Sequence, residues 1–114
     1  LKEPMESAEY RLKIIVPDFR TAGNAVVQKL LADAEMLDGW HIAPDNREGV
    51  RVSFDLKGGV DNGWFLLRLS VHDPVMPLNV ESDIQGGNQM ILDKLYEVLK
   101  TFKEIDLSPL QQTI

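Results

Sequence analysis

The stretch of the chain that most constrains its fold is the sequence VRVSFDL, at residues 50–56. Apolar and polar residues alternate there without a break, which is the period of a β-strand with one buried face. An apolar strand face must be covered by a second layer, while the polar face stays accessible. The chain is therefore predicted to build a sheet that is buried on one side only.

The same pattern analysis predicts seven elements in the order β-α-β-β-β-β-α. Strands are predicted at 9–16, 40–44, 50–56, 64–70 and 78–82, and helices at 21–37 and 88–102. The loops DNREG and KGGVDNG between the middle strands are rich in turn residues, so hairpins and a mainly antiparallel sheet are expected. Each helix carries one apolar stripe, which indicates that both helices cover the same sheet face. The predicted fold is a two-layer α+β sandwich of the TATA-binding-protein-like kind, and the last segment, KEIDLSPLQQTI, is predicted to be a tail.

Length and composition narrow the class of protein. The 114 residues suit one domain, with a core expected at about 9–103. The chain has no cysteine, so a disulfide framework and thiolate-bound zinc are excluded. A net charge of −6 argues against general nucleic-acid binding, and no apolar run is long enough to span a membrane. The start LKEPMES lacks both an initiating methionine and a signal-peptide core, so we expect a piece of a longer protein. The parent protein is expected to be cytoplasmic, with an organelle as the alternative.

The strand WFLLRLS and the residues after it, VHDP, concentrate polar groups at one strand end. Side chains alternate along a strand, so Arg68 and Ser70 share the face opposite the core, with Cα atoms about 7 Å apart. Arginine presents a planar fork that pairs with two phosphate oxygens, and serine donates one more hydrogen bond. Pro74 fixes the exit of the turn, which can aim backbone N–H groups at the same point. The stretch predicts an anion site at the exposed end of its strand.

Together these residues resemble the C-terminal domain of the α-D-phosphohexomutases, the superfamily of phosphoglucomutases and phosphomannomutases. That family has a strand DGVRV.F, a strand GW.L.R.S, a loop of the form R-x-S-(N/G)-T-E-P, and then residues similar to LRLYVEA. The matching residues here are the run GVRV at 49–52, Gly63, Trp64, Arg68, Ser70, Pro74, Val80 and Glu81. The resemblance extends over about residues 9–102, and the family's order of elements agrees with the order predicted from periodicity.

The resemblance implies which residues bind the phosphate of a hexose phosphate. The phosphate-binding positions would be Arg68, Ser70, the backbone N–H of Val71, and His72, with Asp73 and Pro74 shaping the loop. Histidine stands where the family has threonine; it donates a hydrogen bond and carries positive charge when protonated. Residues 71–73 depart from the family pattern, so the ligand preference differs or catalysis is lost.

The resemblance also implies that the catalytic groups lie on other domains of the parent protein. The family's phosphoserine, its Mg²⁺ and its sugar-reading loop lie on three earlier domains. The sequence shows no catalytic residue, metal site or resident cofactor, so the chain alone is expected to be inactive, while the parent protein would be an isomerase that transfers a phosphoryl group within its substrate. The expected partners are a hexose phosphate and the other domains of the parent chain, with no nucleic acid or membrane. Trp64 and Leu66 on the outer face would meet one of those domains.

Other interpretations stay open. The domain could belong to a catalytically silent relative used for sugar-phosphate sensing or protein contact, or be a plain interaction or nucleic-acid module on the same scaffold. Arginines on an outer sheet face are commonly solvated or ion-paired. His41 is predicted to be a structural histidine with a partner. The Gly86-Gly87 turn resembles a phosphate-cradling turn only faintly, and the aspartates near residue 60 lack the spacing of a calcium loop.

Overall fold

The computed structural model describes residues 3–44, 49–70 and 72–111 of the 114-residue chain. They form an α+β sandwich in which one five-stranded sheet is covered on one face by two long helices that also contact each other. In chain order the elements are β1 (Glu6–Lys13), α1 (Phe19–Met36), β2 (Trp40–Ile42), β3 (Gly49–Phe54), β4 (Gly63–Arg68), β5 (Val75–Ser82), α2 (Gly87–Leu99) and the short α3 (Ser108–Gln111). This architecture confirms the predicted fold class.

The strands lie in the order β1-β5-β4-β3-β2, and every neighbouring pair is antiparallel. The last four strands follow one another as a meander, whereas β1 adds to the opposite edge beside β5. The predicted hairpin loop at 45–49 falls mostly outside the described residues, which resume at Gly49.

The core lies between the sheet and the helices, and it follows the alternation of the sequence. The inward-facing residues of the three central strands are fully buried: Val50, Val52, Phe54, Phe65, Leu67, Met76, Leu78 and Val80. Helices α1 and α2 bury one stripe each against them, including Val26, Leu30, Ile91, Leu95 and Leu99. At one end Trp40 meets Phe54 edge-on, with ring centroids 5.1 Å apart. None of the helices in the described part of the chain is long and apolar enough to cross a membrane.

Strand β1 is displaced from its predicted position. It begins at Glu6 and ends at Lys13, whereas periodicity predicted 9–16. The partner strand sets these limits, because β1 pairs with β5 from Glu6 opposite Ser82 to Lys13 opposite Val75. Beyond that point Ile14 forms an isolated bridge with Ile105.

Strand β5 is longer than predicted and includes a proline. It begins at Val75, not at Leu78, so Pro77 lies inside a central strand. Ser70 N–H donates to Val75 O at 3.1 Å, so the backbone groups of Val75 point toward β4. Backbone groups two residues apart on a strand point the same way, so the nitrogen of Pro77 also points toward β4. Strand β4 ends at the facing residue Arg68, so the missing N–H costs the ladder one hydrogen bond at its end.

The prediction that the last segment is a tail is wrong for its described part. Ile105 and Leu110 are buried in the core, with 5% and 4% of their surface exposed. The backbone of this segment pairs with the end of β1: Ile15 N–H donates to Glu104 O and Asp106 N–H donates to Lys13 O, both at 2.8 Å. The two apolar residues are too widely spaced to give a periodic signal, so the sequence pattern did not identify them.

Candidate functional site

Arg68 is the last residue of β4, on the sheet face that the helices leave uncovered. Its neighbour in the β3–β4 register is Gly49. A Cβ atom at Gly49 would lie 2.2 Å from the carbonyl oxygen of Leu67, so only glycine fits, and this position adds no side chain beside Arg68. The arginine is half-buried, and its Nε is shielded from solvent without a hydrogen-bond partner among the described residues. A shielded N–H of a charged group needs an acceptor.

Ser70 continues the same face. The hydrogen bond from its N–H to Val75 O extends the β4–β5 register by one step, so Ser70 lies opposite Val75, as Leu67 lies opposite Leu78. Its Oγ accepts the N–H of Asp73 at 3.3 Å, which leaves the hydroxyl hydrogen free to donate elsewhere. The local structure thus brings Arg68 and Ser70 together on one face.

The loop from 70 to 75 is held by backbone groups. Val75 N–H donates to Asp73 O at 2.7 Å, and Ile14 N–H donates to Pro74 O at 2.8 Å, which ties the loop to the end of β1. Val71 lies outside the described residues. His72 is exposed, and no described contact joins it to Arg68 or Ser70. The phosphate-binding roles of these residues, and the loop-shaping roles of Asp73 and Pro74, stay predictions.

Two basic residues that the sequence did not single out lie on the same face. Arg11 is opposite Pro77 and Lys13 is opposite Val75 in the β1–β5 register. The outer face therefore ends in two cross-strand rows, one with Arg68 and Arg11, the other with Ser70 and Lys13. The alternation of β1 puts both basic side chains on its polar side, but only the pairing with β5 shows which strand they adjoin.

The Gly86-Gly87 turn, which faintly resembled a phosphate cradle, already holds an anion from the chain itself. The Glu6 carboxylate accepts the N–H of Asn88 at 2.9 Å and the N–H of Gly86 at 3.0 Å. These two hydrogen bonds, the Asn88 bond foremost, lower the pKa of Glu6. A Cβ at Gly87 would lie 2.5 Å from Ser82 Oγ, so glycine is needed there for close packing. This helix N-terminus is consequently not a free anion site.

One cluster of metal-type donors exists among the described residues, formed by His41, Asp55 and Asp61. Their donor atoms lie within 4.8 Å of one another, and all three residues are exposed. His41 Nε2 is 3.1 Å from Asp55 Oδ2, as expected of a histidine with a partner. The N–H of Asp61, and next the ring of His41, lower the pKa of Asp55. His41 and Asp55 pair with each other, while the carboxylate of Asp61 accepts the hydroxyl of Ser53 at 3.1 Å.

The middle of the outer face is apolar. Trp64 and Leu66 are half-buried, and the guanidinium of Arg51 lies 4.1 Å from the centre of the Trp64 ring. Such a cation–π contact shields part of the indole. The outward placement of both apolar residues follows the prediction, whereas a contact with another domain is untested.

The similarity of this chain to known proteins lies in its three-dimensional structure. The chain matches the crystal structure of a phosphoglucomutase/phosphomannomutase family protein from Burkholderia thailandensis, with a TM-score of 0.56 and 25% sequence identity. The match covers 86% of this chain and 18% of that protein, so this chain corresponds to a small part of its relative. No protein-family model matches the chain, and the comparison with curated proteins gave no match. The fold and this similarity support a superfamily relation to the phosphohexomutases.

Proposed function

We propose that this chain is the C-terminal, phosphate-binding domain of a phosphohexomutase and that it holds the phosphate group of a hexose phosphate. The observation that carries the proposal is the Arg68 guanidinium, which lies beside Gly49 on the open sheet face and whose shielded Nε–H has no partner among the described residues. Ser70 lies one step further along the same face with a hydroxyl hydrogen to donate.

In this proposal the domain binds and positions its ligand, and the chemistry takes place on other domains. Arg68 pairs with two phosphate oxygens, Ser70 donates to a third, and the backbone of Val71 and the ring of His72 complete the loop. The nucleophile and the Mg²⁺ belong to the rest of the parent protein, an isomerase. Closure of this domain over the ligand would exclude water from that site. Trp64 and Leu66 then meet a neighbouring domain.

A second candidate is a catalytically silent relative that senses sugar phosphates or contacts another protein. The run Val71-His72-Asp73 favours it, since it departs from the family's loop pattern. If the silent relative senses sugar phosphates, both candidates use the same phosphate site, and they differ in the activity of the parent protein and in the ligand that the loop prefers.

The test is an amide NMR titration of this chain with inorganic phosphate and with glucose 1-phosphate. We expect binding in the millimolar range, about −4 kcal/mol. The shifted signals should be those of Arg68, Ser70 and His72. Arg68→Ala should weaken binding by roughly tenfold or more, because a charge-assisted pair of hydrogen bonds is lost. Lys94→Ala is the matched control, because it removes one positive charge from an exposed position in α2, within the helix layer.

Two results would overturn the proposal. In one, the shifted amides lie away from the loop. In the other, Arg68→Ala binds phosphate as tightly as Lys94→Ala does.

A further inference from the structure

The register of the outer sheet face places a second arginine within reach of the proposed site. Arg68 follows Leu67, which pairs with Leu78, so Arg68 lies opposite Pro77; Arg11 lies opposite the same proline from the other side. Neighbouring strands are about 4.8 Å apart, which puts the Cα atoms of the two arginines roughly 10 Å apart with β5 between them. Two arginine side chains that start at this separation, on one face, can reach a common phosphate.

Among the described residues, no carboxylate shares the cross-strand row of the two guanidinium groups. Gly49, Arg68, Pro77 and Arg11 form one continuous row across β3, β4, β5 and β1, and it contains no carboxylate. Arg11 is exposed, and no hydrogen bond or ion pair holds it among the described residues. Glu9, two residues earlier on the same face, lies opposite Asn79 in the next row.

Lys13, in the row of Ser70, is a weaker candidate than Arg11. The hydrogen bonds from Ser108 lower the pKa of Asp106 most, and the positive charge of Lys13 lowers it further. Lys13 therefore already interacts with a carboxylate. An ammonium group is also a point charge that does not present the two parallel donors of a guanidinium.

We infer that Arg11 is a second phosphate-binding arginine and that the phosphate lies over Pro77, between Arg11 and Arg68. The inference rests on the proposed function and makes it more specific. A site with two guanidinium groups favours a doubly charged phosphate monoester, such as a hexose phosphate, over a singly charged anion.

The experiment repeats the titration with glucose 1-phosphate and with inorganic phosphate for the wild-type chain and the variants Arg11→Ala, Arg11→Lys, Arg68→Ala and Lys94→Ala, at constant ionic strength. Sodium chloride serves as the singly charged reference. Arg11→Ala should raise the Kd for both phosphates by roughly three- to tenfold, less than Arg68→Ala does because Arg11 is more exposed. Arg11→Lys should recover part of the loss, and Lys94→Ala should bind as the wild type. In the wild type the amides of Met76 and Leu78, on either side of Pro77, should shift on addition of phosphate.

The outcomes distinguish a failure of the Arg11 proposal from a failure of the phosphate-binding function. If Arg11→Ala binds as tightly as Lys94→Ala while Arg68→Ala loses binding, the role of Arg11 is refuted and the phosphate-binding function stands. If the wild type responds to chloride as it does to phosphate, or if the shifts lie elsewhere, both are refuted. Arg11 is exposed on an edge strand, so its variants should fold, which the amide spectrum of each free variant verifies.

Discussion

Single residues decide whether the outer face can hold a ligand, and Gly49 is the clearest case. The strand beside it approaches so closely that a Cβ would lie 2.9 Å from the Cα of Arg68 as well as against the carbonyl of Leu67. Backbone atoms cannot move aside as the end of a flexible side chain can, so a larger residue must push β3 away from β4.

Gly49→Ala should therefore destabilise the fold by about 1–3 kcal/mol and also weaken phosphate binding, since it displaces Arg68. Urea denaturation and the phosphate titration measure the two effects. Gly58→Ala is the matched control. Gly58 has a φ of +80°, so alanine strains the backbone there as well, but its added Cβ would have nothing within 4 Å. Equal losses of stability in the two variants would show that the close approach at Gly49 has no cost of its own.

At the scale of elements, Glu6 joins the start of β1 to the start of α2. The cap of α2 is Gly86 in the left-handed conformation, which brings no side chain of its own to the exposed N–H groups. The carboxylate of Glu6 takes this role from another strand, and its negative charge also suits the positive end of the helix dipole.

Glu6→Ala should cost about 1–2 kcal/mol of unfolding free energy at pH 7, as expected for a lost cap with charged hydrogen bonds. The folded pKa of Glu6 is lowered, so its contribution is complete above the ordinary value of 4.5 and is lost as the pH falls through the lower folded value. The stability difference between wild type and variant, followed by urea denaturation, should accordingly shrink below pH 4.5. Glu6→Gln keeps one acceptor without the charge and should lie between them. A difference that stays constant down to pH 2 would exclude the charged cap.

At the scale of the whole molecule, the C-terminal segment closes the core at the edge where β1 ends. Ile105 is buried and forms a β-bridge with Ile14, whereas Ile15, which follows Ile14 in the chain, is 64% exposed. The same backbone ladder thus presents Ile14 and Ile105 to the core and Ile15 to the solvent.

Ile105→Ala should destabilise the fold by about 2–4 kcal/mol, through lost burial and a residual cavity. Ile15→Ala is the matched control and should change stability by less than about 0.5 kcal/mol. Thermal and urea unfolding of both variants give the comparison. If Ile105→Ala is as stable as Ile15→Ala, the segment is an appendage and not part of the core.

Local rules were enough for much of the structure. Alternation and turn residues predicted the fold class and the helix–sheet layering, because each of these depends on neighbours within a few positions. The same local rule put Arg68 and Ser70 on one face, two residues apart on a single strand. The same local reading placed the start of β5 too late, because the strand begins at Val75 and includes Pro77, whereas the prediction began at Leu78.

The sequence by itself determined which side chains share a face of each strand and helix, since that depends only on the backbone period of two or 3.6 residues. Only the tertiary structure decided which faces meet: Glu6 caps a helix 80 residues further along the chain, and Arg11 lies across β5 from Arg68. No local pattern specifies such pairs, because which residues meet depends on how the whole core packs around β5. Arg11 and Pro77 are far apart in the sequence, so the second arginine of the proposed site depends on the topology of the sheet and not on a local pattern.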